Sequence, residues 1–305
     1  MFNPHQVITF GSALFISTHL SHAQIGKPIK EGQVVSYVES LYVYHADADI
    51  DSGGDVGLQT YGIKAGSKIG LANGHSLGFN LSAGLTDYSF SSPTKFGAQA
   101  PWDEVQRYSL GLQYNHRLDQ TQSLFLMPSV EFAGESGANF GDALIYGGIA
   151  GYMKQFSRTL SLGVGGAVYS GLEDTSVFPV IFVYWQFAEA WRVSNPLRPG
   201  PSGPAGLEVV YTGFEQWEVS AGGSYRSNRF ALDDSGSAEG GFGENEGAVL
   251  FMRSTYEFAQ HSKLDFYVGT MVGGELTLED SDADRIASDD FDPSLILAAA
   301  YTFSF

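Results

Sequence analysis

From about residue 33 to residue 305 the chain repeats one unit: an alternating stretch, a tight polar turn, a second alternating stretch, a longer loop. In 105–117, Tyr108, Leu110, Leu112 and Tyr114 share one parity, against Arg107, Ser109, Gly111, Gln113 and Asn115 on the other. In 75–90, Leu77, Phe79, Leu81, Ala83 and Leu85 oppose Gly78, Asn80, Ser82, Gly84 and Thr86. A period of two places these residues on opposite faces of a strand, and helical periodicity is hard to find after residue 30. Tight turns fall at Ala72-Asn73-Gly74, 119–122, 157–159, 188–190, Glu215-Gln216 and 260–262. Longer connections fall between them, at 47–55, 91–104, 135–141, 171–176, 197–204, 231–246 and 279–293. A sandwich or jelly roll also alternates along its strands, but its connections do not sort so regularly into short and long.

Strands with one apolar and one wet face, joined alternately by short turns and long loops, are what a closed barrel in a lipid bilayer requires. The expected fold class is therefore all-β: a transmembrane antiparallel up-and-down barrel of about fourteen strands, with twelve as the fallback. Fourteen is reached only if Trp191-Arg192-Val193-Ser194-Asn195 is a short strand of its own. The 38 glycines fit strands that bend, and the 16 tyrosines and 22 phenylalanines fit aromatic girdles at the two interfaces. Alternation fails at Val177-Phe178-Pro179-Val180-Ile181-Phe182-Val183-Tyr184-Trp185, which is apolar on both faces. Either an element packs inside the barrel there, or that wall of the lumen is apolar.

The last strand, Ser294 to Phe305, puts Tyr301, Phe303 and Phe305 on its apolar face. A strand ending on an aromatic residue resembles the closing strand of bacterial outer-membrane barrels. That resemblance implies an assembly signal at Tyr301, Phe303 and Phe305, read by the barrel-assembly machinery. At the other end, an apolar run from Val7 to about Ile16 followed by Ser21-His22-Ala23 reads as a signal peptide. The expected organisation is a signal peptide at 1–23, a short periplasmic segment at 24–32, and one barrel domain at 33–305 in the outer membrane.

Composition narrows the function. There is no cysteine, hence no disulfide frame, thiolate metal site or thiol nucleophile. With 34 acidic against 16 basic residues, a net charge of −18 excludes nucleic acid as a natural partner and leaves outer-membrane lipid as the main one. Parity points Arg107, Glu131, Arg226, Arg253, Glu257 and Glu275 into the lumen. Arg253 and Glu257 lie four apart on one strand face, too far to pair directly, so each is expected to pair across strands. Opposed charges of this kind either set up a field that orients a polar solute or neutralise each other and plug the barrel.

Two loops carry carboxylates at alternate positions: Asp47, Asp49 and Asp51 in one, Asp280, Asp282 and Asp284 in the other. They lack the glycine and terminal glutamate of a calcium loop, so they read as solvated external loops that divalent cations could bridge to lipid. No cofactor is implied. For an enzyme, His45 with Asp47 two residues on is the one candidate base at the external rim, without a recognisable nucleophilic serine. The Pro-rich stretch 196–204 reads as a stiff external loop that could fold into the lumen as a constriction.

The run from Trp185 through Trp191-Arg192-Val193-Ser194-Asn195-Pro196 and Gly200-Pro201-Ser202-Gly203-Pro204, with Tyr211 and Trp217, resembles a family of uncharacterised bacterial outer-membrane barrels catalogued as a domain of unknown function. The resemblance is most specific over 185–230 and implies location and fold, with no catalytic residues. The expected function is passive conduction of small solutes. The alternatives are a plugged structural or surface-interaction barrel working through its acidic loops, and a rim-localised hydrolase using His45.

Overall fold

The computed structural model describes residues 29–172, 174–235 and 238–305; the expected signal peptide lies outside them. The strands are β1 (Val34–Asp49), β2 (Asp55–Gly70), β3 (Ser76–Ser91), β4 (Glu104–Arg117), β5 (Gln122–Glu135), β6 (Leu144–Gln155) and β7 (Leu160–Gly171). They continue with β8 (Asp174–Ala188), β9 (Trp191–Ser194), β10 (Gly206–Tyr211), β11 (Trp217–Ala231), β12 (Phe242–Ala259), β13 (Ser262–Glu279), β14 (Arg285–Phe291) and β15 (Ser294–Ser304). Each of the first twelve pairs with its sequence neighbours, β12 pairs with β13, β13 with β15, and β15 with β1. That circuit is a closed antiparallel barrel of fourteen strands; β14 is an added strand that pairs with β13 beyond β15 and bridges Ile50, just past β1, at Phe291.

Local chemistry sets the turns. Asn73 and Gly74 have φ of 58° and 77°, the left-handed pair that a tight hairpin between twisted strands needs. The Asp119 carboxylate accepts from Thr121 N at 2.6 Å, Thr121 Oγ1 at 2.9 Å and Gln122 N at 2.9 Å, closing the turn between β4 and β5. These bonds, first of all the one from the Thr121 backbone, hold its pKa below the usual carboxylate range.

The outer face is the apolar one. On β4, Tyr108, Leu110 and Leu112 point out, while Val105 and Gly111 are buried. In water such a belt would be an aggregation surface; in hydrocarbon it is satisfied, and ring closure leaves the lipid no continuous free edge. At the turn end of the wall the belt ends in aromatic pairs, Trp217 with Tyr256 at 4.6 Å and Trp191 with Tyr211 at 4.8 Å. The closing seam runs from Tyr37 opposite Ser304 to His45 opposite Ile296. Phe305 extends it: Ser36 N donates to Phe305 O, and Phe305 N donates to Ser36 O, both at 2.8 Å. Tyr301 stacks on Phe258, and Phe303 on Phe305.

Two features depart from the expectation, and one that the sequence left open is decided. β12 begins at Phe242, inside the stretch expected as a 231–246 loop. Asp289 and Asp290, expected in a loop, belong to β14, which pairs Asp289 with Leu276 and Asp290 with Glu275. The Pro-rich segment between β9 and β10 folds into the barrel, because carbonyls along it find donors on the lumen wall.

Candidate functional site

The lumen divides into a charged part and an apolar part. In the charged part, the Arg253 guanidinium bonds Glu208 Oε2 at 2.8 Å and Asp265 Oδ1 at 3.4 Å. None of the three side chains is more than 1% exposed, so this is a filled interior. Thr255 accepts from Arg253 and donates to Asp265, and Ser220 Oγ donates to Glu208 Oε2 at 2.9 Å. Glu218, nearer the turn end, binds Arg192 at 3.0 Å and Arg198 at 2.7 Å. Charges buried to this degree persist because they are paired and hydrogen-bonded on several sides.

Arg198 comes from the inward segment 195–205 and also reaches Asp265 at 3.5 Å. Other contacts seat the segment. Tyr267 Oη donates to Pro199 O at 2.9 Å, Arg226 Nη1 donates to Pro201 O at 3.0 Å, and Gly203 N donates to Ser224 Oγ at 3.0 Å. At Gly200 an added Cβ would meet the Tyr267 ring at 2.5 Å, so only glycine allows this approach. The prolines at 196, 199, 201 and 204 limit the unfolded freedom of the segment, lowering the entropy lost when it is seated.

Beyond the segment lies a chamber of about 660 Å³, counting its open mouth. Gly200 and Pro201 form part of its lining with His45, Arg107, Arg226, Asn228 and Phe230. Over it, Trp102 of the β3–β4 loop packs edge-on against Phe230 at 5.3 Å and Phe90 at 5.5 Å. Arg107 bonds Glu131 Oε1 at 2.6 Å and the carbonyl of Arg229 at 2.8 Å.

The apolar part is the inner face of β6 to β8 with the turn-end half of β5, below Glu131. Phe125 meets Phe182 edge-on at 5.2 Å and Tyr169 stacks on Phe178 at 6.1 Å. Gly163 and Gly165 of β7 share this face with buried Ala167 and Tyr169. The doubly apolar stretch of β8 is thus lipid on one side and apolar lumen wall on the other.

Of the six lumen candidates, Arg107, Glu131, Arg226 and Arg253 are interior, as described. Glu257 lies at the turn end and bonds Lys263 at 3.3 Å, with both side chains partly exposed. Glu275 is corrected: Leu276 and Leu278 are buried in the core, so Glu275 faces away from the lumen, where Ser288 of β14 donates to it. The bulge between Glu246 and Ala248 and a left-handed Gly273 shift the parity in this region. His45 and Asp47 are also separated, because the register of β1 shifts between His45 and Ala48, leaving His45 lining the chamber and Asp47 exposed.

The acidic loops are organised by their own backbone. Asp280 Oδ1 accepts from Asp282 N at 3.0 Å and Asp284 N at 2.9 Å. Asp51 N donates to Asp290 O at 2.9 Å, and Ser52 Oγ donates to Asp289 Oδ1 at 3.1 Å. Among the described residues no three His, Asp or Glu side chains are grouped so as to hold a metal ion. Sequence reasoning missed Glu208, Asp265 and Arg198. Glu208 was accessible by parity, since Leu207 and Val209 flank it on the lipid face. Arg198 had no local signal, because its place depends on where the whole segment folds.

No curated protein matches the chain. Among solved structures, an outer-membrane channel from Pseudomonas putida F1 superposes with a TM-score of 0.50 at 11% identity, over 92% of this chain and 98% of that one. The toluene transporter TodX of Pseudomonas putida gives 0.47 at 11% identity, over 88% of this chain and 89% of that one. The toluene transporter TbuX of Ralstonia pickettii gives 0.46 at 10% identity, over 91% and 90%. At such identities only the fold is shared, that of an outer-membrane barrel. At the level of sequence, the model of one family, described as Domain of unknown function (DUF6268), matches residues 79–304, and the chain belongs to that family.

Proposed function

We propose that the protein is a passive outer-membrane channel for small solutes whose lumen is closed at rest by the inward segment 195–205. The observation that carries this is the seating of the segment. Its two ends bond wall backbone, Asn195 on β8 and Ala205 O on Tyr225 N, but the residues between are held by a few side chains, Arg198 on Glu218 and Asp265, Arg226 on Pro201 O, Tyr267 on Pro199 O, so that this middle could leave while the wall ladders stay paired. A plug that belonged to the wall would not be separable in this way. If the latch holds by about 3 kcal/mol, the order of one truncated buried ion pair, the open state is populated at roughly 1%. Export would use the signal peptide at 1–23, and insertion would use the aromatic strand end at Tyr301, Phe303 and Phe305.

Conductance in planar bilayers tests the reading. Wild-type protein should open rarely and briefly, and Arg198→Ala should open about tenfold more often. Silence of both at every voltage would overturn it. One observation favours a second reading, the plugged structural barrel: the Glu208–Arg253–Asp265 group fills its level of the lumen so completely. Silence of both proteins is the outcome that reading requires.

A further inference from the structure

The wall is uneven. β12 and β13 have 18 residues each and β15 has 11, but β9 has 4 and β10 has 6. A strand crossing hydrocarbon needs about 9–11 tilted residues, so this hairpin stops partway up from the turn end. Pairing of β9 with β8 ends at Tyr184, and among the described residues no strand pairs with that edge of β8 beyond it. On the far side, β10 leaves β11 at Ser224. From there β11 does not run beside β8. Ala231 bridges Gly134 of β5, and the carbonyl of Arg229 is taken by Arg107. The two edges therefore part, leaving a notch between the Val177–Ile181 stretch of β8 and the upper half of β11.

Part of this edge is satisfied without a partner strand. Val183 N donates to Asn195 Oδ1 at 2.7 Å, so odd-numbered residues of β8 direct their backbone toward the notch. Position 179 among them is proline, which has no N–H to leave unpaired. At the lip one amide satisfies both sides: Asn195 Nδ2 donates to the carbonyls of Ile181 at 3.0 Å and Gly206 at 3.1 Å. Val177 and Ile181, beside the notch, are 65% and 62% exposed on the lipid face. Behind it lies the apolar lumen wall, and from Ser176 to Gln186 no inward residue of β8 is charged.

We infer that the notch is a lateral portal, through which a small apolar or amphipathic solute dissolved in the outer leaflet passes between the bilayer and the apolar half of the lumen. This rests on the channel reading for the onward path, and adds to it the solute class and the door. A polar route through the chamber beneath the external loops would leave Pro179, the Asn195 lip and the uncharged inner face without a role.

The test uses a bilayer-confined aryl diazirine in vesicles carrying the folded barrel, with labelled residues mapped by mass spectrometry. Label is expected on inward Phe178, Val180 and Phe182 as well as on outward Val177 and Ile181, and not on inward Leu41 and Val43 of the opposite wall. The chain has no cysteine, so Val177→Cys gives a unique thiol at the notch. A bulky maleimide added after folding should cut inward label at least fivefold while label on Leu110, on a distant outer face, is unchanged. Label confined to outward residues, or inward label indifferent to the maleimide, would overturn the portal. Ion conductance of the same preparation reports separately: conductance with outward label alone sinks the portal and leaves the channel, whereas inward label without conductance does the reverse.

Discussion

The two halves of the lumen solve the same problem in opposite ways. Around β9 to β13, inward side chains carry charge, and the interior is held by guanidinium–carboxylate pairs with almost no exposure. Around β6 to β8 and the turn-end half of β5, they are mostly aromatic, aliphatic or glycine, and the interior is held by ring contacts and shape. The difference teaches where specificity of closure resides. A charged interior tolerates one arrangement, because each lost partner strands a buried charge. An apolar interior tolerates many arrangements of similar volume, and so can admit a guest.

The sharpest way to break the comparison is to remove one charge from the first half. Glu208→Leu removes the closer of Arg253's two carboxylates, leaving it the longer bond to Asp265 and the Thr255 hydroxyl, and should destabilise the barrel by about 3–5 kcal/mol. Urea unfolding in bilayers, followed by heat-modifiable gel mobility, measures it. Phe182→Ala in the second half should cost about 3 kcal/mol, since Phe182 is buried edge-on against Phe125. Phe182→Leu there should cost about 1 kcal/mol, and a larger loss than for Glu208→Leu would erase the distinction. Arg198→Ala acts on the gate rather than the wall and should change stability by about 1 kcal/mol while raising open probability. The smallest effect is expected at the Asp119 turn. Its carboxyl is held below the usual range when folded, so its contribution is present above the unfolded carboxylate pKa and fades as pH falls through the folded one. Asp119→Ala should therefore flatten stability below about pH 4 and leave its slope near neutrality unchanged.

The barrel was legible because lipid imposes a period of two on every wall strand and because the turns sort by length. Even the short strand at Trp191 was readable, since strand parity demanded it. What escaped were places where the lipid constraint ends. Gly243 to Glu246 of β12 rises to where both faces are polar, and so looks like a loop. The bulge after His45 broke a pairing with Asp47 that strict alternation implied. Glu275 failed for the same reason. The direction of the segment 195–205 was open in the sequence, because prolines stiffen a chain equally well outside a barrel or inside it. Its seating depends on Tyr267, Arg226 and Ser224, distant in sequence and brought together by the closed sheet.

The claim that this segment is the gate is tested most directly by tying it down. Gly203 N lies 3.0 Å from Ser224 Oγ, so Gly203→Cys with Ser224→Cys can form a bond in a chain that has no other thiol. Single-channel recording of the oxidised protein should show no openings, and addition of reductant should restore them. Equal conductance before and after reduction, with the disulfide verified by mass, would contradict the account.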